Sequence, residues 1–121
     1  MDNSPISRTI KINEIYYMQI FVKDKGGNGK PGLKISYFIY QSKGGYLRKK
    51  GRMIEDYTRP GVYVQSYIFN KLGQFRIIYK LPNGYEDIME IIYVKDDQKE
   101  RIIHRHYYRN YARSKSVKVK K

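Results

Sequence analysis

Residues 62–81 read VYVQSYIFNKLGQFRIIYKL, and their pattern indicates paired β-strands. Valine, isoleucine, tyrosine and phenylalanine, which are enriched in strands, make up half of the segment. Aromatic residues dominate positions 63, 67 and 69, and aliphatic residues dominate the alternate positions 62, 64 and 68. Residues 70–73, Asn-Lys-Leu-Gly, mark a turn, after which one side of the next run carries Phe75, Ile77, Tyr79 and Leu81. A period of two interrupted by turn residues predicts two antiparallel strands.

The same pattern, a strand-forming run followed by turn residues, repeats on both sides of this segment. We predict strands at residues 6–12, 15–23, 33–40, 62–70, 75–81 and 88–94, separated by glycine, proline or asparagine. Residues 46–54 are basic and predict an edge strand or an exposed loop, since sheet edges favour charge. About seven short strands predict an all-β fold, a Greek-key β-sandwich, with a small barrel as the competing closure.

Alternation also predicts which side chains face the core. Between residues 15 and 23 the even positions, Tyr16, Met18, Ile20 and Val22, should face inward. Between residues 33 and 40 one face carries Leu33, Ile35, Tyr37 and Ile39. We expect a second aromatic set on the outer sides of the sheets, where it would also serve as a contact surface: Phe38, Tyr40, Tyr63, Tyr67 and Phe69.

Length and composition indicate one folded unit with an appendage. The chain has 121 residues, enough for one domain, and we divide it into a sandwich at residues 1–98 and a basic arm at residues 99–121. There is no cysteine, which excludes disulfides, thiolate zinc sites and a cysteine nucleophile. The first residues, MDNSP, lack the pattern of a secretion signal, so we expect a protein made and kept in a cytoplasm.

Charge is concentrated in the arm. The whole chain has a formal charge of +14, and residues 99–121 carry nine lysines and arginines against Glu100, a net of +8. In the arm, arginines recur every four residues from Arg101 to Arg113, and Ile103, Tyr107 and Tyr111 have the same spacing. As a helix, this segment would separate a cationic stripe from an aromatic one. The predicted partner-binding residues are Arg101, Arg105, Tyr107, Tyr108, Arg109, Tyr111, Arg113, Lys115, Lys118, Lys120 and Lys121.

The residue types that could support catalysis are not spaced as known catalytic, metal or phosphate sites require. The only histidines, His104 and His106, lie among arginines that would repel a metal cation. Acidic residues occur mostly as sequence neighbours, which point to opposite faces of a strand. The glycine cluster at residues 26–30 lacks the spacing and the hydroxyl residue of a phosphate-binding loop. We therefore predict no enzyme activity, no catalytic residues, no cofactor, no metal and no small-molecule substrate.

Several short motifs carry a resemblance to a known family. Residues 30–32 read KPG, residues 59–63 RPGVY, residues 72–77 LGQFRI and residues 92–94 IYV. Over residues 14–95 the chain resembles bacterial and phage immunoglobulin-like modules, in which Pro-Gly-x-Tyr opens a late strand and Gly-x-Tyr/Phe-x-Ile the next. The chain lacks the tryptophan and the disulfide of antibody domains, so the resemblance implies architecture alone.

A stand-alone module of this type resembles the auxiliary or decoration proteins of tailed-phage capsids, including those of crAss-like phages. That resemblance implies a virion structural protein whose partners are the major capsid protein or other virion proteins. The alternative is a basic protein associated with nucleic acid or the ribosome, in which the arm contacts phosphates and bases. A cell-surface adhesion module ranks third because no export signal is seen. The apolar stripe of the arm is too short to predict membrane binding.

Overall fold

The structure, a computed structural model, describes residues 5–96. The basic arm, with its predicted helix and all its predicted partner-binding residues, lies outside this range. The described part of the chain contains eight β-strands and no helix, and the strands are β1 Ile6–Lys11, β2 Ile15–Phe21, β3 Ser36–Gln41, β4 Leu47–Arg52, β5 Ile54–Glu55, β6 Val62–Ile68, β7 Gly73–Lys80 and β8 Ile88–Lys95.

The strands form a sandwich of two sheets. One sheet has five strands in the order β1-β8-β7-β3-β4, and the other has three in the order β2-β6-β5. All neighbours are antiparallel except β1 and β8, which are parallel. The prediction of an all-β sandwich is confirmed. One more strand is present than predicted, because the basic run at residues 46–54 passes from one sheet to the other at Met53 and so makes both β4 and β5.

The core fills the space between the two sheets. Its largest fully buried side chains are Tyr63, Tyr79, Phe69, Met18, Ile35, Ile39, Ile77 and Ile92. The predicted inward faces are confirmed for β2, where Met18 and Ile20 are buried, and for β3, where Tyr37 and Ile39 are buried. Strand β4 is exposed along its whole length at the edge of the larger sheet, as its charge predicted.

Three aromatic residues face the opposite way from the prediction. Tyr63 and Phe69 are buried, and Tyr67 packs against the core, whereas we expected all three on the outer side of the sheet. The register explains the difference, because Tyr63 pairs with the inward-facing Ile20 of β2 and must share its side. The Tyr63 hydroxyl donates to the Lys30 carbonyl at 2.7 Å and accepts from the Leu33 N–H at 3.0 Å, so its polar end is satisfied.

One buried carboxylate links the two sheets. Glu90 on β8 is the only buried charged residue between residues 5 and 96, and it accepts hydrogen bonds at 2.5 Å from the hydroxyls of Tyr79 on β7 and Tyr16 on β2. Arg8 on β1 completes the cluster with an Nε donor 3.1 Å from the same carboxylate. Burial and the nearby Glu90 charge raise the pKa of both tyrosines, so each hydroxyl remains a donor at neutral pH.

We expect Glu90→Gln to lower the free energy of unfolding by about 2 to 4 kcal/mol, because an amide replaces the charged acceptor and brings a buried N–H₂ group among donors. Chemical denaturation monitored by tyrosine fluorescence measures the change. The matched control is Glu86→Gln, which alters an exposed carboxylate in the preceding loop and should change stability by less than about 0.5 kcal/mol. Equal effects of the two substitutions would contradict a structural role for Glu90.

Candidate binding surfaces

Two aromatic rings lie side by side on the outer side of the five-stranded sheet. Phe38 and Tyr40 of β3 are partly buried, and their ring centroids are 6.5 Å apart with planes inclined by only 20°. Arg76 on β7 pairs with Tyr40 and holds its guanidinium carbon 5.7 Å from the centre of the Tyr40 ring. These rings were predicted on the outer side, and that prediction is confirmed.

Cationic side chains flank the rings on both neighbouring strands. Phe38 pairs with Lys50 of β4, so the two residues share a face of the sheet. Ser36, two residues before it, pairs with Arg52 of β4 and with Lys80 of β7. We call this surface the cationic–aromatic face, and it consists of Phe38, Tyr40, Lys50, Arg52, Arg76 and Lys80.

Positive charge dominates this face. Strand β4 carries four cations, Arg48, Lys49, Lys50 and Arg52, and no acidic residue, and Lys50 and Arg52 are the two that lie on this face. Within residues 5–96 none of the four forms a salt bridge, and the nearest acidic contact to the face is that of Asp87 with Lys80 at 3.5 Å. Exposed like charges beside aromatic rings bind anionic groups and planar groups together.

The outer side of the three-stranded sheet is apolar instead. Its exposed large hydrophobic side chains, which we call the apolar face, are Ile15, Tyr17, Phe21, Ile54 and Ile68. A surface hollow of about 500 Å³ opens on this face between Tyr17 on β2 and Ile54 on β5, with Asp56 and Arg59 at its rim.

The rim of the hollow is a tight turn built on Asp56. One carboxylate oxygen accepts from the backbone N–H of Thr58 at 3.0 Å and from its hydroxyl at 2.6 Å. The other oxygen accepts from Arg59 Nε at 2.8 Å. These hydrogen bonds, above all those from Thr58, lower the pKa of Asp56 to about 2.

The glycine cluster at residues 26–30 has a structural explanation. Asp24 Oδ1 accepts from the N–H groups of Gly26 and Asn28, which closes the loop on itself. Gly29 then packs against the turn before β6, where an added Cβ would lie 2.0 Å from the Pro60 carbonyl oxygen. Only glycine fits at this close approach. The glycine at position 29 therefore has a packing role, and the cluster needs no phosphate-binding role to explain it.

None of the sequence-predicted partner-binding residues falls within residues 5–96, and neither histidine does. The structure instead brings together the residues of the cationic–aromatic face. Of these, the sequence analysis had named only Phe38 and Tyr40 as a contact surface. In the described range no group of acidic residues is arranged to hold a metal ion. That range also has no helix with the length and apolarity needed to cross a membrane.

Comparisons with known proteins add little about identity. No protein-family model matches the chain, and no curated protein matches it. Among solved structures, the chain is similar to the extracellular domains 3–5 of Drosophila OTK, at 16% sequence identity and a TM-score of 0.33. The match covers 76% of this chain and 33% of that structure, so the chain spans about a third of its length. The fold assignment rests on the strand order and pairing given above.

We expect the hydrogen bonds of the Asp56 turn to make the free energy of unfolding decrease at low pH. The pKa of Asp56 is about 2 in the folded state and near 3.9 in an unfolded chain, so its contribution is present above about pH 4 and lost as the pH falls through 2. Thermal melting between about pH 5 and pH 2 should show a smaller loss of stability in Asp56→Asn than in the wild type. Thr58→Val, which removes one donor, should fall between them, and identical pH profiles would contradict this role.

Proposed function

We propose that this chain is a non-enzymatic structural protein that binds an anionic macromolecular surface through the cationic–aromatic face, and that this surface is the capsid of a tailed phage. The observation that carries the proposal is the pairing of stacked rings on β3 with cations on the neighbouring strands β4 and β7. A rigid sheet fixes the backbone that carries these side chains, so binding has to order the side chains but not the backbone. Arginine and tyrosine are also the usual anchors of protein interfaces.

Two of the described carboxylates serve the structure of the sandwich. Glu90 is fully engaged by two tyrosines and an arginine inside the core. Asp56 is engaged within its own turn. Both carboxylates are thus committed to holding the structure, and neither is poised to exchange a proton with a substrate.

We further propose that the sandwich is immunoglobulin-like. The order β8-β7-β3-β4 corresponds to strands G, F, C and C′ of immunoglobulin domains, and β2-β6-β5 corresponds to strands B, E and D. Domains with this architecture serve mainly as binding modules, and that analogy, together with the phage resemblance of the motifs, supports a capsid-associated role.

The basic arm is proposed as a second contact. It lies outside residues 5–96, and its net charge of +8 adds to the positive charge of the cationic–aromatic face. The predicted arm contacts, from Arg101 to Lys121, would thus strengthen attachment to an acidic surface.

A second candidate function is binding of single-stranded nucleic acid. The specific observation in its favour is the Phe38–Tyr40 pair with Arg76 beside it, because bases stack on exposed rings while cations neutralise phosphates. This function would use the same face, so the two candidates differ in partner and not in location.

The first test of the proposal is occupancy on virions. We expect the chain to copurify with density-gradient-purified particles of the phage that encodes it, in a fixed ratio to the major capsid protein. Lys50→Glu/Arg52→Glu should lower that occupancy about tenfold, since charge reversal replaces attraction by repulsion. The control Lys25→Glu/Lys71→Glu makes the same change in net charge at exposed sites elsewhere and should retain occupancy. Absence from particles, or equal loss in both variants, would contradict the proposal.

The second test separates the two candidates by salt dependence. Fluorescence anisotropy with a labelled poly-dT oligonucleotide should show weak binding if the partner is a protein surface. Nucleic-acid binding would instead give a log affinity that falls with log salt by about 0.7 per phosphate contacted, and Phe38→Ala/Tyr40→Ala would weaken it. Tight, steeply salt-dependent binding that needs both rings would favour the second candidate.

A further inference from the structure

Within residues 5–96, strand β2 is a sheet edge that no other strand covers. It lies at the end of the order β2-β6-β5, and its sequence IYYMQIF contains no charged residue and no proline. Proteins usually protect such edges with charge, proline or a bulge, as β4 does here with the sequence LRKKGR. Its pairing with β6 is regular over all seven residues, without a bulge that would turn the edge away.

The backbone of this edge presents unused hydrogen-bonding groups. Val22, just past β2, donates its N–H toward β6, to the Gly61 carbonyl at 2.8 Å. Antiparallel ladders direct the groups of alternate residues to opposite sides. The N–H and C=O groups of the odd-numbered residues 15 to 21 therefore point to the free edge, where no strand within residues 5–96 pairs with them.

We infer that this edge pairs with the β2 edge of a second copy of the chain. Two copies related by a twofold axis at Met18 would run antiparallel. The axis would place Ile15 opposite Phe21, Tyr16 opposite Ile20 and Tyr17 opposite Gln19. The result is a continuous six-stranded sheet with an isologous interface.

The sequence of β2 is self-complementary in this register. Ile15 with Phe21 and Tyr16 with Ile20 are aromatic–aliphatic pairs, which stabilise adjacent strands. Tyr17 opposite Gln19 places a ring beside an amide. No charged side chain therefore enters the seam, the line along which the two β2 strands would pair. Because the odd residues supply both the outward backbone groups and the apolar face, pairing would also join two apolar faces into one.

Charge does not oppose pairing with a second copy. The paired segment is limited to residues 15–21, because residues 12–14 form a turn in which Asn13 has a φ of 67°. The chain as a whole carries +14, but β2 itself is uncharged, so like-charge repulsion does not act at the seam.

The dimer is independent of the proposed function. The cationic–aromatic face lies on the other sheet and remains exposed on both copies. Two faces in one assembly would strengthen attachment to a repeating surface by avidity.

Sedimentation equilibrium of the full chain at about 0.15 M salt, where repulsion is screened beyond about 8 Å, tests the inference. The wild type should have twice the 14.5 kDa mass of one chain. Tyr17→Lys adds a charge to the edge and should raise the dissociation constant at least about tenfold. Gln19→Pro removes an outward N–H, a change that edge strands tolerate, and should do the same.

The matched control is Tyr46→Lys, the same change at a tyrosine that is 66% exposed between β3 and β4 of the other sheet, compared with 72% exposure for Tyr17. This control should remain a dimer, and far-ultraviolet circular dichroism should show that all variants are folded. A wild type that is monomeric at every concentration would overturn the inference. So would a dimer unaffected by Tyr17→Lys, whatever the outcome of the virion experiments.

Discussion

The hydrogen-bonded carboxylate of Glu90 is the constraint on which the relative position of the two sheets depends. Tyr16 reaches it from β2 of the smaller sheet, and Tyr79 and Arg8 reach it from β7 and β1 of the larger one. Hydrophobic contacts in a sandwich are not directional, whereas these bonds fix which residues face one another. With the inner faces fixed, the outer faces are fixed too, one cationic and aromatic and the other apolar.

Alternation in the sequence predicted most of the fold where the two sides of a strand differ in polarity. In β7 the inward Phe75, Ile77 and Tyr79 contrast with Arg76 and Lys80 on the other side, and the predicted face is the buried one. In β6 both sides are apolar, and the pattern alone could not choose between Tyr63 and Val64. Pairing with β2 decides that choice, and pairing depends on contacts between residues distant in sequence.

The candidate site was less predictable than the fold for the same reason. Arg52, Phe38 and Arg76 are far apart in the sequence, and only the register of β4, β3 and β7 places them on one surface. Charge is densest in residues 99–121, where the composition changes abruptly, so binding was predicted there. The cations of β4 were predicted only to mark a sheet edge or an exposed loop. The role of Glu90 was also missed, although its position among inward-facing residues of the last predicted strand was the signal that could have revealed it.

A sandwich fixed internally by Glu90 can present binding side chains on a rigid surface, and we propose that attachment uses the cationic–aromatic face. Hydrogen–deuterium exchange of the full chain, free and bound to purified capsids, tests this assignment most directly. Binding through this face should slow exchange in β3 and β4, residues 36–41 and 47–52, beyond any change in β2. Unchanged exchange in β3 and β4, with protection confined to other strands, would contradict it.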